Sequence, residues 1–149
     1  MYTVKAVSQM LDLSEHAVRY YTDKGLIPSI IRDSNNSRLF NDDSVNWLIG
    51  VKILKQCGMS IKDIKDYADL CIEGDSTIQE RYEIILRQRE RALLQLQEAQ
   101  KAFDYLNAKS KKYLNIIEGV INDSSNPAKW PLNYELHEAW NELKKFGAK

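Results

Sequence analysis

The chain has 149 residues with 21 Lys/Arg against 21 Asp/Glu and no net formal charge, enough for one modest domain plus an extension. It lacks an apolar run near 18 residues, which excludes a membrane span. An even charge balance argues against a broadly basic coat for nucleic acid, so any duplex binding has to be local.

Thr3 to Leu11 reads as a short amphipathic helix, with Val4, Val7 and Leu11 at helical spacing. A break at Asp12-Leu13 leads to Ser14, the predicted N-cap of a second helix. Gly25 ends that helix, with Leu26 and Pro28 behind it. Two short helices around a tight turn outline a helix-turn-helix, whose second helix enters a DNA major groove. Ala17, Val18 and Tyr21 form its packing side. Glu15, His16, Arg19 and Tyr20 form the outward side, with donors, acceptors and one guanidinium for base edges and phosphates. A solvated face on an ordinary small helical domain would use the same residues.

Residues 29–40 predict two short extended arms around a turn at Asp33-Ser34-Asn35-Asn36-Ser37, where Asn and Asp tolerate left-handed backbone. This is a wing, with Arg32 and Arg38 on its two arms. Asn41 is predicted to cap a third helix that stops at Gly58, and Ser60 a fourth.

The order Tyr-Thr-Val…Leu-Ser…Val-Arg-Tyr-Tyr…Gly-Leu-Ile-Pro, then Arg…Ser-Arg-Leu-Phe…Asp-Asp…Leu…Gly-Met-Ser-Ile-Lys-Asp-Ile, resembles the mercury-resistance-regulator (MerR) family from Tyr2 to about Leu70. The resemblance implies a winged helix-turn-helix homodimer that binds a palindrome between promoter elements and distorts it, acting on RNA polymerase indirectly. Arg19 and Tyr20 match the family's Arg-Tyr-Tyr pair, and Arg38 its wing arginine. Phe40 stands where members usually carry Tyr, which removes a wing hydroxyl-to-phosphate contact and leaves Phe40 to pack the wing on the core. Thr3, Ser14, Glu15, His16, Arg19, Tyr20, Arg32 and Arg38 are the candidate DNA contacts. Glu15 and His16 are the best placed for base readout, and the arginines and Tyr20 mainly for phosphates. The first 75 residues carry 9 Lys/Arg against 11 Asp/Glu. Modest binding per half-site is therefore expected, which makes dimerisation necessary, because linking two weak readers raises their combined affinity.

Ser76 and Gln79 predict a capping box opening a helix with no Gly or Pro before Gly119. Steps of four and three give Ile78, Tyr82, Ile85, Arg89, Ala92, Leu96, Ala99, Phe103, Leu106, Ser110, Tyr113, Ile117 and Val120. Eleven of these thirteen are apolar or aromatic, a seam that calls for a second helix. Ile78, Tyr82, Ile85, Leu96, Phe103, Leu106, Tyr113 and Ile117 are the candidate dimer contacts. The resemblance implies an antiparallel coiled coil; the seam alone leaves orientation open.

Beyond Gly119, Asn122 to Pro127 reads as a loop. Leu132, Leu136, Ala139, Trp140 and Leu143 then share a helical stripe with Trp130 and Tyr134 nearby. This tail caps the coiled coil, or its aromatic residues, Trp130 and Trp140 above all, form a small hydrophobic effector site. The two cysteines, Cys57 and Cys71, with His137 alone beyond them, supply too few ligands for a closed metal site. The segment from Glu73 to Arg81 is similar to the branch that includes aldehyde-responsive regulators. That branch can carry a reactive Cys in the third helix, where this chain has Ile53. Cys57 and Cys71 remain candidate effector residues, with a packing role as the plainer reading.

No nucleophile motif or Gly-rich phosphate loop is present, so no enzyme activity and no cofactor is expected. The predicted fold class is mainly α: a winged helix-turn-helix over residues 1–75, a dimerisation helix over 76–121, and a loop with a short amphipathic helix over 122–149. Double-stranded promoter DNA, a second copy of the chain and a small effector are the expected partners. With Met1-Tyr2-Thr3 leading straight into the first helix, no signal peptide is read, and a cytoplasmic, nucleoid-associated location is expected. The competing class is a coiled-coil adaptor whose heads bind another protein rather than DNA.

Overall fold

In the computed structural model, which describes residues 1–129 and Lys144, each of the first four helices opens on a side-chain cap. Thr3 Oγ1 accepts from Ala6 N (3.2 Å) at the start of α1 (Val4–Met10). Ser14 Oγ accepts from Ala17 N (3.0 Å) before α2 (Glu15–Asp23). Asn41 Oδ1 accepts from Ser44 N (2.8 Å) before α3 (Asp42–Gln56), and Ser60 Oγ from Asp63 N (3.0 Å) before α4 (Ile61–Glu73). Each cap satisfies one of the amide donors that a helix start leaves without an internal partner. Between α1 and α2 the chain reverses at Asp12, with φ of 48°, a left-handed turn that Asp tolerates. Gly25, with φ of 66°, ends α2, and an added Cβ there would also meet the Lys65 side chain at 3.1 Å.

The wing gains a strand that is too short to read from sequence. β1 (Tyr2–Thr3), β2 (Ile31–Arg32) and β3 (Arg38–Phe40) form an antiparallel sheet in the order β1-β3-β2, with Tyr2 opposite Phe40 and Arg32 opposite Arg38. At the wing tip the Asp33 carboxylate accepts from Asn35 N and Ser37 N, and Asn36 takes a φ of 60°. The Asp-Asn turn thus satisfies its own backbone while reversing the chain.

Val7, Val18, Leu26, Phe40, Leu48, Met59 and Ile64 form the core under this head. Phe40 is fully buried, so it packs the wing and presents nothing to a phosphate. Phe40→Ala is expected to cost about 3–5 kcal/mol, read as a drop in the denaturant midpoint. The Trp47 indole N–H donates to the Leu26 carbonyl (2.7 Å), and Lys52 Nζ donates to the Leu11 carbonyl at the end of α1 (2.5 Å). Polar ends of partly buried side chains thereby tie α3 to the helix-turn-helix.

The long helix α5 (Ile78–Ile117) opens differently from the predicted capping box. Gly74, with φ of 105°, leads into a 3-10 turn over Asp75–Thr77. The buried Thr77 hydroxyl faces the carbonyls of Leu70 (2.5 Å) and Gly74 (2.8 Å). Gln79 donates forward to Glu83 rather than back to the cap. With this Thr-to-α4 contact available, the end of one helix is stapled to the start of the next and Ser76 is left exposed.

The first compact unit runs from Met1 to Ala92, past the start of α5. Thr77, Arg81, Ile84, Gln88 and Arg91, at steps of four and three, make its contacts with the head: Ile84 packs on the core, Gln88 reaches Cys57, and Arg91 meets Asp63. The predicted seam lies one residue further round the same helix. Its members Ile78 and Tyr82 remain 57% and 58% exposed.

The second unit begins at Leu93. Within it Leu96, Phe103 and Leu106 are each more than 60% exposed, and Ile117 80%, so the seam is uncovered by the single chain's described residues. The helix ends through Gly119, with φ of 75°, and Val120 N donates to the Asn115 carbonyl (2.8 Å). A loop and a short 3-10 turn at Pro127–Lys129 follow. The tail residues Trp130 and Trp140, proposed from sequence as an effector site, lie outside the described residues. No helix among the described residues is long and apolar enough to cross a membrane.

Candidate nucleic-acid interface

The start of α1, the outward face of α2 and the wing enclose a shallow concavity of about 440 Å³, lined by Thr3, Lys5, Glu15, Arg19, Asp33, Asn36, Ser37 and Arg38 among others. Four of the eight predicted contact residues meet there: Thr3, Glu15, Arg19 and Arg38. His16 and Tyr20 continue the exposed face of α2. Lys24 Nζ stands 5.7 Å from the centre of the Tyr20 ring, a cation–π approach that places a further positive charge beside the phenol. Lys5 escaped the sequence reading. Only its position on the first turn of α1, beside the Thr3 cap, marks it.

The caps double as potential contacts. Thr3 and Ser14 use oxygen lone pairs on backbone amides, which leaves each hydroxyl proton free to donate to an anion. Lys5, Arg19, Arg32 and Arg38 supply the cations, and three of them are already engaged. Arg19 Nη2 bonds Glu15 Oε2 at 2.6 Å, one turn apart on α2. Arg38 pairs with Asp23, a bridge from wing to recognition helix, and its Nε is buried with no hydrogen-bond partner among the described residues. Arg32 Nη1 donates to the Asn36 carbonyl (3.0 Å) and side chain (3.2 Å), holding the wing tip. Arg38 is the least solvated of these, with its side chain only 17% exposed. Sequence spacing revealed none of the wing pairs, since they depend on how the hairpin folds back.

The two thiols are placed apart. Cys57 is exposed at the C-cap of α3. Cys71 is half-buried at the edge of an apolar cleft of about 220 Å³ between α3 and α4, lined by Trp47, Val51, Leu54, Ile64 and Tyr67 among others. Arg81 Nη1 lies 3.8 Å from its sulfur. The Tyr67 phenol is pushed up by burial and by the neighbouring Cys71, against the opposing pull of Arg81. Among the described residues no cluster of three or more His, Cys, Asp or Glu is arranged to hold a metal ion.

A concave face with a protruding helix, a wing and arginines on both suits a polyanion. Residues 2–71 match the family described as MerR HTH family regulatory protein. An HTH-type transcriptional regulator of Haemophilus influenzae, itself uncharacterised, is 35% identical over 112 residues, spanning 75% of this chain and 83% of that protein. AdhR of Bacillus subtilis is 29% identical over 90 residues, 60% of this chain and 64% of that one. Among solved structures, HiNmlR, a MerR family regulator lacking the sensor domain and bound to promoter DNA, superposes with a TM-score of 0.68. It is 33% identical and covers 78% of this chain and 93% of its own. A MerR family regulator from Bacillus thuringiensis superposes with a TM-score of 0.64 at 34% identity, covering 75% and 98%. The chain belongs to the MerR family of helix-turn-helix transcriptional regulators.

Proposed function

We propose that this chain regulates transcription by binding a palindromic promoter duplex as a homodimer and distorting it, in response to a small effector or stress signal. The observation that carries the reading is the concave face joining α1, α2 and the wing, in a chain one-third identical to a regulator solved on promoter DNA. Arg19, Tyr20, Arg32 and Arg38 engage phosphates. Glu15 and His16 face the base edges, where a carboxylate accepts from the cytosine amino group. The exposed seam of α5 joins two copies, each holding one half-site. Bending the duplex between the heads costs several kcal/mol, which the added backbone contacts offset. An effector then acts by its differential affinity for the two states of the bound dimer.

Titration of the protein against its own promoter-region duplex at two salt concentrations, with a scrambled duplex as control, tests this. Specific, salt-weakened binding is expected. Equal binding to both duplexes would favour a protein-binding adaptor, a reading that the slightly acidic head supports.

The ion pair between wing and recognition helix gives a separate prediction. Asp23→Asn removes an anion from the interface and releases Arg38. With Asp23 59% exposed, such a pair contributes a few tenths of a kcal/mol, so a gain of about twofold in affinity per half-site is expected. Fluorescence anisotropy at low salt checks it, and the gain should shrink as salt rises.

A further inference from the structure

Gln88 alone is buried among the residues of α5, at 8% exposed, on a helix otherwise in contact with solvent or half-covered. A buried amide needs a partner, and its Nε2 donates to the Cys57 carbonyl at 2.6 Å. Cys57 is the C-cap of α3, so its carbonyl is among those that a helix end leaves open. The cap comes from a residue 31 positions further along the chain. Next to it Gly58 takes a φ of 85°, and a Cβ built there would lie 3.6 Å from the same amide nitrogen.

Apolar contacts allow one helix to slide or roll over another; a hydrogen bond requires both distance and direction. Thr77 fixes the turn that leads into α5 to the end of α4. Gln88, eleven residues and about 16 Å along the axis, fixes the same helix to the end of α3. Two directional points on one rod define its angle. Arg91 and Asp63, 3.5 Å apart and more exposed, add a weaker third.

We infer that Gln88 is a positioning residue: by holding α5 to the end of α3 it sets the angle at which the dimerisation helix leaves the head, and with it the half-site spacing that the dimer accepts. This rests on the DNA-binding reading above. For a group about 13 Å from the hinge axis, the radius of gyration of a 100-residue domain, a roll of roughly 15° moves it by about 3.4 Å. That is one base step along a strand. Loss of the bond therefore blurs spacing by about a base pair while leaving each head's own contacts in place.

The test uses duplexes that the full-length wild-type protein selects from a random pool, rebuilt with the half-sites one base pair nearer or further. Wild type should prefer its selected spacing. In Gln88→Met, which keeps an unbranched side chain and removes the donor, that preference should fall by roughly tenfold, the low end of what deforming a duplex site costs. Affinity for a single half-site should stay unchanged. Gln88→Lys, which restores a donor at a helix C-terminus, should recover most of the preference. An unchanged spacing ratio in folded Gln88→Met would overturn the inference and leave DNA binding intact. Failure of wild type to select any duplex would overturn both. Should Gln88→Met not fold, Gln88→Glu, which keeps the length and loses the donor, carries the test: a loss of spacing preference supports the positioning role, and no loss overturns it.

Discussion

Arg19→Ala is expected to abolish specific duplex binding at physiological salt while leaving the fold and the dimer untouched. Arg19 is exposed, and its ion pair with Glu15 lies on the same helix. Such a pair contributes a few tenths of a kcal/mol, so the thermal midpoint should hardly move. At the interface the balance differs. A guanidinium contact to phosphate or base is worth about 1–3 kcal/mol, and a homodimer loses it twice. The expected loss of roughly 2–6 kcal/mol is about 30-fold to 10⁴-fold in affinity. It also leaves Glu15 unpaired on a face directed at phosphates, which adds repulsion. If Arg19 sits on phosphate, the log–log salt slope should fall by about two for the dimer. If it reads a base, affinity should fall with the slope kept. Undiminished binding by the variant would remove α2 as the reading face.

The second large effect concerns the seam. Leu96→Asp with Phe103→Asp places two carboxylates among residues that one chain leaves more than 60% exposed. In a monomer they would be solvated at little cost. Between two helices, burying an unpaired charge costs several kcal/mol. Sedimentation should show a monomer with unchanged helical content in the head, and duplex affinity should fall by about 10²–10⁴, the usual range of the linked-site advantage. A variant that stays dimeric would place the dimer contact on another face of α5.

What the sequence made legible was local. Ser14, Asn41 and Ser60 act as caps because capping depends on a residue and the amides three positions on. The seam was legible because apolar residues repeat along it. The inner stripe running from Thr77 into α5 was not: Thr77, Arg81, Gln88 and Arg91 are polar, and a glutamine among charged residues looks like a solvated flank until its carbonyl partner, 31 residues earlier, is known. β1 was missed for a related reason, since two residues carry no alternation and pair only because Phe40 comes opposite Tyr2. At the candidate interface, the residue types singled out from sequence include Thr3, Glu15, Arg19 and Arg38, which come together around one concavity. The pairing of Arg38 with Asp23 depends on the wing folding against α2, which no spacing rule encodes.

Those internal pairs also bear on how such a protein would find its site. Arg19 with Glu15 and Arg38 with Asp23 each hold a cation next to an anion on the same chain. If these arginines make the proposed contacts, every duplex, wanted or not, competes with a tethered carboxylate before it gains them. Four such pairs in a dimer, at a few tenths of a kcal/mol each, weaken all duplex binding by about tenfold. A correct site recovers that loss through contacts that random sequence lacks. Across the 10⁶–10⁹ competing sites of a genome, a protein that answers weakly to bare phosphate spends less time parked on the wrong DNA, and its occupancy of one promoter can follow a signal more quickly.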